Sequence, residues 1–125
     1  MNVLYDAGAL IAAERGKRRI WAEHRARLEL GLVPWTTAPV VAQVSHSTRQ
    51  AQLHRLLRGC LVEPLRSDQA HEVGALLGRT GTTDVIDAHV VITAAQGRAS
   101  VLSTDPDDMR RLADGLTVPV TVATI

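Results

Sequence analysis

Three aspartates sit where a parallel sheet would present them for chemistry. Asp6 closes the apolar run Val3-Leu4-Tyr5, and Asp105 closes the run that ends at Ser103. Asp87 lies near the start of a helical stretch that feeds the second of these runs. In open parallel sheets, ligands bind outside the carboxyl ends of the strands, so three acids remote in sequence can meet at one edge. Clustered carboxylates repel one another and raise one another's pKa unless a cation neutralises them. A hard divalent ion with oxygen ligands, Mg²⁺ or Mn²⁺, is the natural occupant, its remaining positions filled by water and a substrate phosphate.

Each acid also has a structural use. Asp84-Val85-Ile86-Asp87 puts carboxylates at the cap and third position of a helix start, and Asp105-Pro106-Asp107-Asp108 is a second such start. Asp6 could cap the helix that begins at Ala7. Function is favoured most at Asp87, because its helix is apolar on nearly every side (Val85, Ile86, Val90, Val91, Ile92, Ala94, Ala95) and a charge beside such a core is costly without a partner or a metal.

The elements that must position these acids alternate in type. Val3–Tyr5 reads as a strand and Ala7–Glu14 as a helix. A second helix is expected over Lys17–Leu30, a strand over Val33–Thr36, and a helix that places Pro39 in its first turn. Arg49–Arg58 is expected to be helical, and Leu61–Leu65 a strand whose Pro64 suits a sheet edge. A helix from Ser67 or Asp68 closed by Gly78, a helix over Asp84–Gln96, a strand over Ser100–Ser103, a helix over Asp105–Ala113 and a strand over Val118–Val122 complete the pattern. Such alternation implies parallel pairing through right-handed crossovers, hence a three-layer α/β fold in a single domain spanning 1–125.

Composition agrees. The 125 residues are 46% hydrophobic, which excludes a disordered chain, and no apolar run approaches the ~18 residues of a membrane span. Met1 leads straight into the first strand without a basic or apolar leader, and the lone Cys60 can form no internal disulfide, so a cytoplasmic protein is expected. Tyr5, Trp21 and Trp35 are the whole aromatic complement, which argues against RNA binding by stacked aromatic platforms. The net charge of +1 conceals a polarity: residues 1–66 hold ten basic and five acidic side chains, and residues 67–125 four basic and eight acidic. A basic half can serve phosphate and an acidic half a metal.

Three stretches together resemble the PIN-domain ribonucleases, specifically the VapC toxins of bacterial toxin–antitoxin pairs. They are Leu4-Tyr5-Asp6-Ala7-Gly8-Ala9-Leu10-Ile11, Asp84-Val85-Ile86-Asp87-Ala88-His89 and Leu102-Ser103-Thr104-Asp105-Pro106-Asp107-Asp108, and their order and spacing match along essentially the whole chain. The resemblance implies a PIN-like fold with a central five-stranded parallel sheet flanked by helices, and a Mg²⁺- or Mn²⁺-dependent endoribonuclease site. It also implies a cognate VapB-type antitoxin and a homodimer. By position it carries over Asp6, Asp87 and Asp105 as the acidic site, with Asp6 and Asp87 as direct metal ligands and Thr104 as the hydroxyl residue beside the last acid.

One position departs from the family. Its usual Glu in the helix after the second strand is here Gln43, in Val40-Val41-Ala42-Gln43-Val44. A Gln carbonyl can accept hydrogen bonds or ligate an ion but cannot act as a base. Glu14 is no obvious substitute, since it lies eight residues beyond Asp6, ~12 Å along a straight helix. Asp84 or Asp108 could supply the missing charge from the same sheet edge. The alternative is a weakened module that binds RNA or an antitoxin without efficient cleavage.

Arg15, Lys17, Arg18 and Arg19 form a basic cluster able to contact RNA phosphates, or else a solvated helix face. The five histidines show no metal-ligand spacing, although His46, three residues past Gln43, could face the site. Other α/β readings fail: the only Lys is Lys17, which excludes a receiver domain, Gly8 stands where dehalogenase-like phosphatases need Asp, and no phosphate-binding glycine motif occurs.

Overall fold

A computed structural model describes residues 2–125. Strand β1 (Asn2–Tyr5) leads into α1 (Ala7–Glu14), then α2 (Arg18–Glu29), β2 (Trp35–Thr37), α3 (Ala38–Val44) and α4 (Ala51–Leu57). Strand β3 (Leu61–Glu63) is followed by a single 3₁₀ turn at Ser67–Gln69 and by α5 (Ala70–Thr80) and α6 (Val85–Gly97). Strand β4 (Ala99–Ser103), α7 (Pro106–Asp114) and β5 (Val122–Thr124) end the chain. The five strands form one parallel sheet in the order β3-β2-β1-β4-β5, the architecture expected from the alternation of elements.

Sequence chemistry sets the helix starts. The Asp6 side chain accepts from the Ala9 amide (3.2 Å), Thr37 from Val40 (3.2 Å) and Asp84 from Asp87 (3.0 Å), each satisfying an amide that the helix itself leaves open. Asp105 occupies the cap position of α7 but makes no capping bond with its side chain, leaving the start to Pro106. Helix α6 is buried continuously from Ala88 to Ala94, as its apolar circumference requires. It packs with Leu4, Leu10, Val101 and Leu112 in one core cluster.

Three expected boundaries move. Gly78 does not end its helix, because the apolar positions Val73, Leu76 and Leu77 run on to Thr80, whose hydroxyl turns back to the Leu76 carbonyl (2.9 Å). Gly81, at φ +66°, takes the left-handed end instead. The last strand forms at Val122–Thr124 and not at Val118–Val122: Pro119 has no N–H to give a ladder, and pairing begins where the Val101 amide meets the Thr121 carbonyl (2.9 Å). Strand β3 stops at Glu63, before Pro64, and lies at the sheet edge as expected.

Candidate active site

The crossover between β1 and β4 creates the site. These strands are neighbours, with Tyr5 opposite Leu102, and the Asp6 amide extends the ladder by donating to the Leu102 carbonyl (3.1 Å). Asp6 and Asp105 therefore leave the carboxyl ends of adjacent strands. Asp87 arrives from the first turn of α6, and Asp108 from the first turn of α7.

Asp6 is 6% exposed, and burial raises its pKa. The Ser103 hydroxyl and the Ala9 and Gly8 amides counter that shift by hydrogen-bonding the ionised form, while the Asp105 charge adds to it. Asp87 is pushed up to about 7, first by burial, then by the charges of Asp84 and Asp6, by a hydrogen bond with Asp84, and by Asp108. Asp6, Asp84 and Asp108 thus all act on Asp87, and Asp105 acts on Asp6. Asp84 serves as helix cap and as partner of the Asp87 carboxyl at once, so the two readings of this residue are compatible.

Ser103 was absent from the sequence-based set. It is fully buried at the end of β4, donates to Asp6, and accepts from the Asp105 amide (3.0 Å). Thr104, the expected hydroxyl residue, is exposed and lies over Gly8, where any Cβ would collide with its Oγ1. Strand alternation distinguishes the two: successive residues point to opposite faces, so only one of the adjacent hydroxyls can turn toward Asp6. The available signal was a polar residue at the inward end of an apolar strand. Ser103→Ala should raise the Asp6 pKa further and weaken Mn²⁺ binding severalfold by calorimetry, with the helical circular dichroism signal unchanged.

Several expected residues are elsewhere. Gln43 is exposed on α3 and makes no hydrogen bond with a described residue. Glu14 is engaged at the far end of α1, accepting from Gln50 Nε2 (2.8 Å) and paired with His46 Nε2 (3.1 Å), so His46 turns away from the acids. Arg15, Lys17, Arg18 and Arg19 are all exposed at that same far end, about 12 Å along α1 from Asp6. Arg19 pairs with Glu23 (3.4 Å). The structure therefore gathers the carboxylates and leaves the basic cluster apart from them.

A hard divalent ion fits this donor set by its chemistry. Every candidate ligand is a carboxylate oxygen, and the upward shift of Asp87, due first to burial and then to the neighbouring carboxylates, is one that a bound cation would oppose. Among the described residues, no three His, Cys, Asp or Glu side chains are grouped closely enough to hold an ion as they stand, so binding would have to draw the carboxylates together.

No family model and no curated protein matches the sequence. The fold does have close counterparts among solved structures. One is a chain of VapBC2 from Rickettsia felis, bound to a DNA fragment from their promoter (TM-score 0.70, 13% identity, covering 100% of this chain and 99% of that one). Another is a chain of FitAB bound to an IR36 DNA fragment (TM-score 0.66, 17% identity, 98% and 94% covered). A third is PAE2754 from Pyrobaculum aerophilum (TM-score 0.62, 17% identity, 97% and 89% covered). The likeness is one of fold, and it runs the full length of the chain.

Proposed function

We propose that this chain, whose PIN-like fold is the premise, is the toxin of a VapBC-type pair and hydrolyses RNA phosphodiester bonds with Mg²⁺ or Mn²⁺. The single observation that carries the reading is the convergence of carboxylates at one sheet edge, where Asp6, Asp84 and Asp108 act on the half-buried Asp87 and Asp105 acts on Asp6. Asp6, Asp87 and Asp105 would hold the ion. When bound, it would lower the pKa of a water and neutralise charge on the scissile phosphate.

The chain's own residues have separable tasks. Ser103 and the Ala9 amide fix the Asp6 carboxylate by hydrogen bonds, so it needs little reorganisation. Asp84, exposed and bonded to Asp87, is the carboxylate left to take up a proton from the attacking water. An RNA strand crossing from the acids toward Arg15–Arg19 would run along α1.

The antitoxin partner is supported by the full-length likeness to chains of VapBC2 and FitAB. A cleft of about 520 Å³ lined by Trp21, His24, Arg25, Leu28 and Arg55 offers such a partner an apolar seat, with Arg55 stacked 4.1 Å from the Trp21 ring. A homodimer belongs to the same proposal. No helix among the described residues is long and apolar enough to cross a membrane.

Purified chain free of antitoxin should cleave structured RNA with Mg²⁺ or Mn²⁺ and stop on addition of EDTA; cleavage that persists in EDTA would reject the metal-dependent reading. Gln43 and the open spacing of the carboxylates favour a second reading, a module that binds RNA without efficient turnover. RNA binding without turnover in the cleavage assay would select the second reading, and Gln43→Glu tests whether this position causes it. If Gln43 borders the site, this variant should bind Mn²⁺ several times more tightly in calorimetry and cleave faster; unchanged affinity would remove the position from the site.

A further inference from the structure

We infer that a small cleft between β2, β3 and α6 is a guanine-binding subsite. The cleft, of about 250 Å³, is lined by Trp35, Glu63, Arg66, Thr93, Gln96 and Gly97. Gly97 lets the benzene edge of Trp35 lie against the end of α6, since any Cβ there would collide with Cζ3 and Cη2 of the indole. The indole is thereby held in place as an apolar wall.

The polar groups of the cleft are of both kinds. Glu63 is half-buried and makes no hydrogen bond or ion pair among the described residues, so its carboxylate is a free acceptor. Arg66 is preset as a donor: its guanidinium is held by Asp68 (3.0 Å) and reaches Gln96 Oε1 (3.2 Å). Gln96 is in turn anchored by Gln69 Nε2 (2.9 Å), whose Oε1 faces the buried His89 ring (3.0 Å). The donor side of the cleft is therefore braced from the core, and the acceptor side is unclaimed.

A planar ring that presents two adjacent N–H donors on one edge and acceptors on another matches this wall. Guanine does so with N1–H and the 2-amino group toward a carboxylate, and O6 and N7 toward donors. Adenine and cytosine offer a single amino group, and uracil one imino N–H. An arginine side chain would also suit an indole and a carboxylate, but a guanidinium is donor-only and offers no acceptor to the Arg66 and Gln96 side of the cleft. Trp35 lies against Gly97, ten residues beyond Asp87 and ~15 Å along α6, so a base seated here would stand several nucleotides from the acids. The subsite rests on the RNA reading only for what delivers the base; binding itself needs neither metal nor cleavage.

The test uses the full chain in EDTA, titrated with GMP, IMP, AMP, CMP and UMP and followed by calorimetry and by the two indole N–H signals in NMR. GMP should move the Trp35 signal, identified with Trp35→Phe, and leave that of Trp21, whose Nε1–H is tied to the Ala13 carbonyl (2.9 Å). IMP, lacking the 2-amino group, and Glu63→Gln with GMP should each bind about tenfold more weakly or worse. Glu63→Gln should melt as the parent does, which separates lost binding from lost folding. Equal binding of all five nucleotides, no binding of GMP, competition by free arginine at the Trp35 signal, or unchanged affinity in Glu63→Gln would overturn the assignment. Absence of RNA cleavage alongside selective GMP binding would reject the nuclease reading and leave the subsite standing.

Discussion

Asp6→Asn should abolish RNA cleavage, by on the order of a hundredfold or more, and at the same time make the protein more resistant to heat. The two effects have opposite signs because Asp6 is in conflict with its surroundings. It caps α1 through the Ala9 amide, a role Asn performs as well, and its carboxylate is buried and faces Asp105. Asn keeps the cap and can still accept from the Ser103 hydroxyl, and it discards the charge whose burial opposes folding. What it loses is the negative ligand that a divalent ion would need. Cleavage rates measured beside melting temperatures at pH 7 check both halves. A variant that melts lower and still cleaves would mean that Asp6 serves the helix alone.

Asp87 makes the stability of the ion-free protein depend on pH in an unusual direction. Its pKa is about 7 in the folded chain and 3.8 as a model carboxyl, so the folded state holds a proton that the unfolded state has released. The stability associated with that proton is complete below the unfolded pKa and is lost as pH rises through 7. His24 and His89 have folded pKa values lowered by burial, so they destabilise the fold as pH falls toward and through their ordinary value of 6.5, and Cys60, pushed up to about 12 by burial, begins to oppose folding as pH approaches 9. Both effects are shared by Asp87→Asn, so the difference between the parent and this variant isolates Asp87. Relative to Asp87→Asn, the parent should lose about 1 kcal/mol between pH 6.5 and 8.5 before discounting for solvent, or roughly 2–4 °C in Tm. Millimolar Mg²⁺ or Mn²⁺ should restore the parent at high pH. A Tm difference between parent and Asp87→Asn that stays constant across that window would show that Asp87 is already ionised at little cost.

Much of the architecture was legible because it rests on local rules. The 2-residue and 3.6-residue apolar periods separate strands from helices, and the caps Asp6, Thr37 and Asp84 act within three residues of themselves. Boundaries erred where a local signal competed with packing. Gly78 looks like a helix stop, but the half-buried Thr80 continues the side of the helix that Val73 and Leu76 bury; Val118 looks like strand, but Pro119 denies it a ladder partner.

The site divides along the same line. The type of chemistry followed from the sequence alone: acids placed at the ends of apolar runs, in an order that a parallel sheet converts into neighbours. Which groups then touch depended on tertiary structure. Ser103 and Thr104 are adjacent and chemically alike, and only the direction of the strand end turns the serine toward Asp6. His46 is close to Gln43 in sequence, yet Glu14, 32 and 36 positions from its partners His46 and Gln50, holds that loop at the other end of α1. Glu63 and Trp35 were read as ordinary strand residues until the sheet order set them beside the end of α6. Residue type and periodicity are local properties, so a sequence displays them; charge coupling and cleft shape arise between segments remote along the chain, and only their packing decides them.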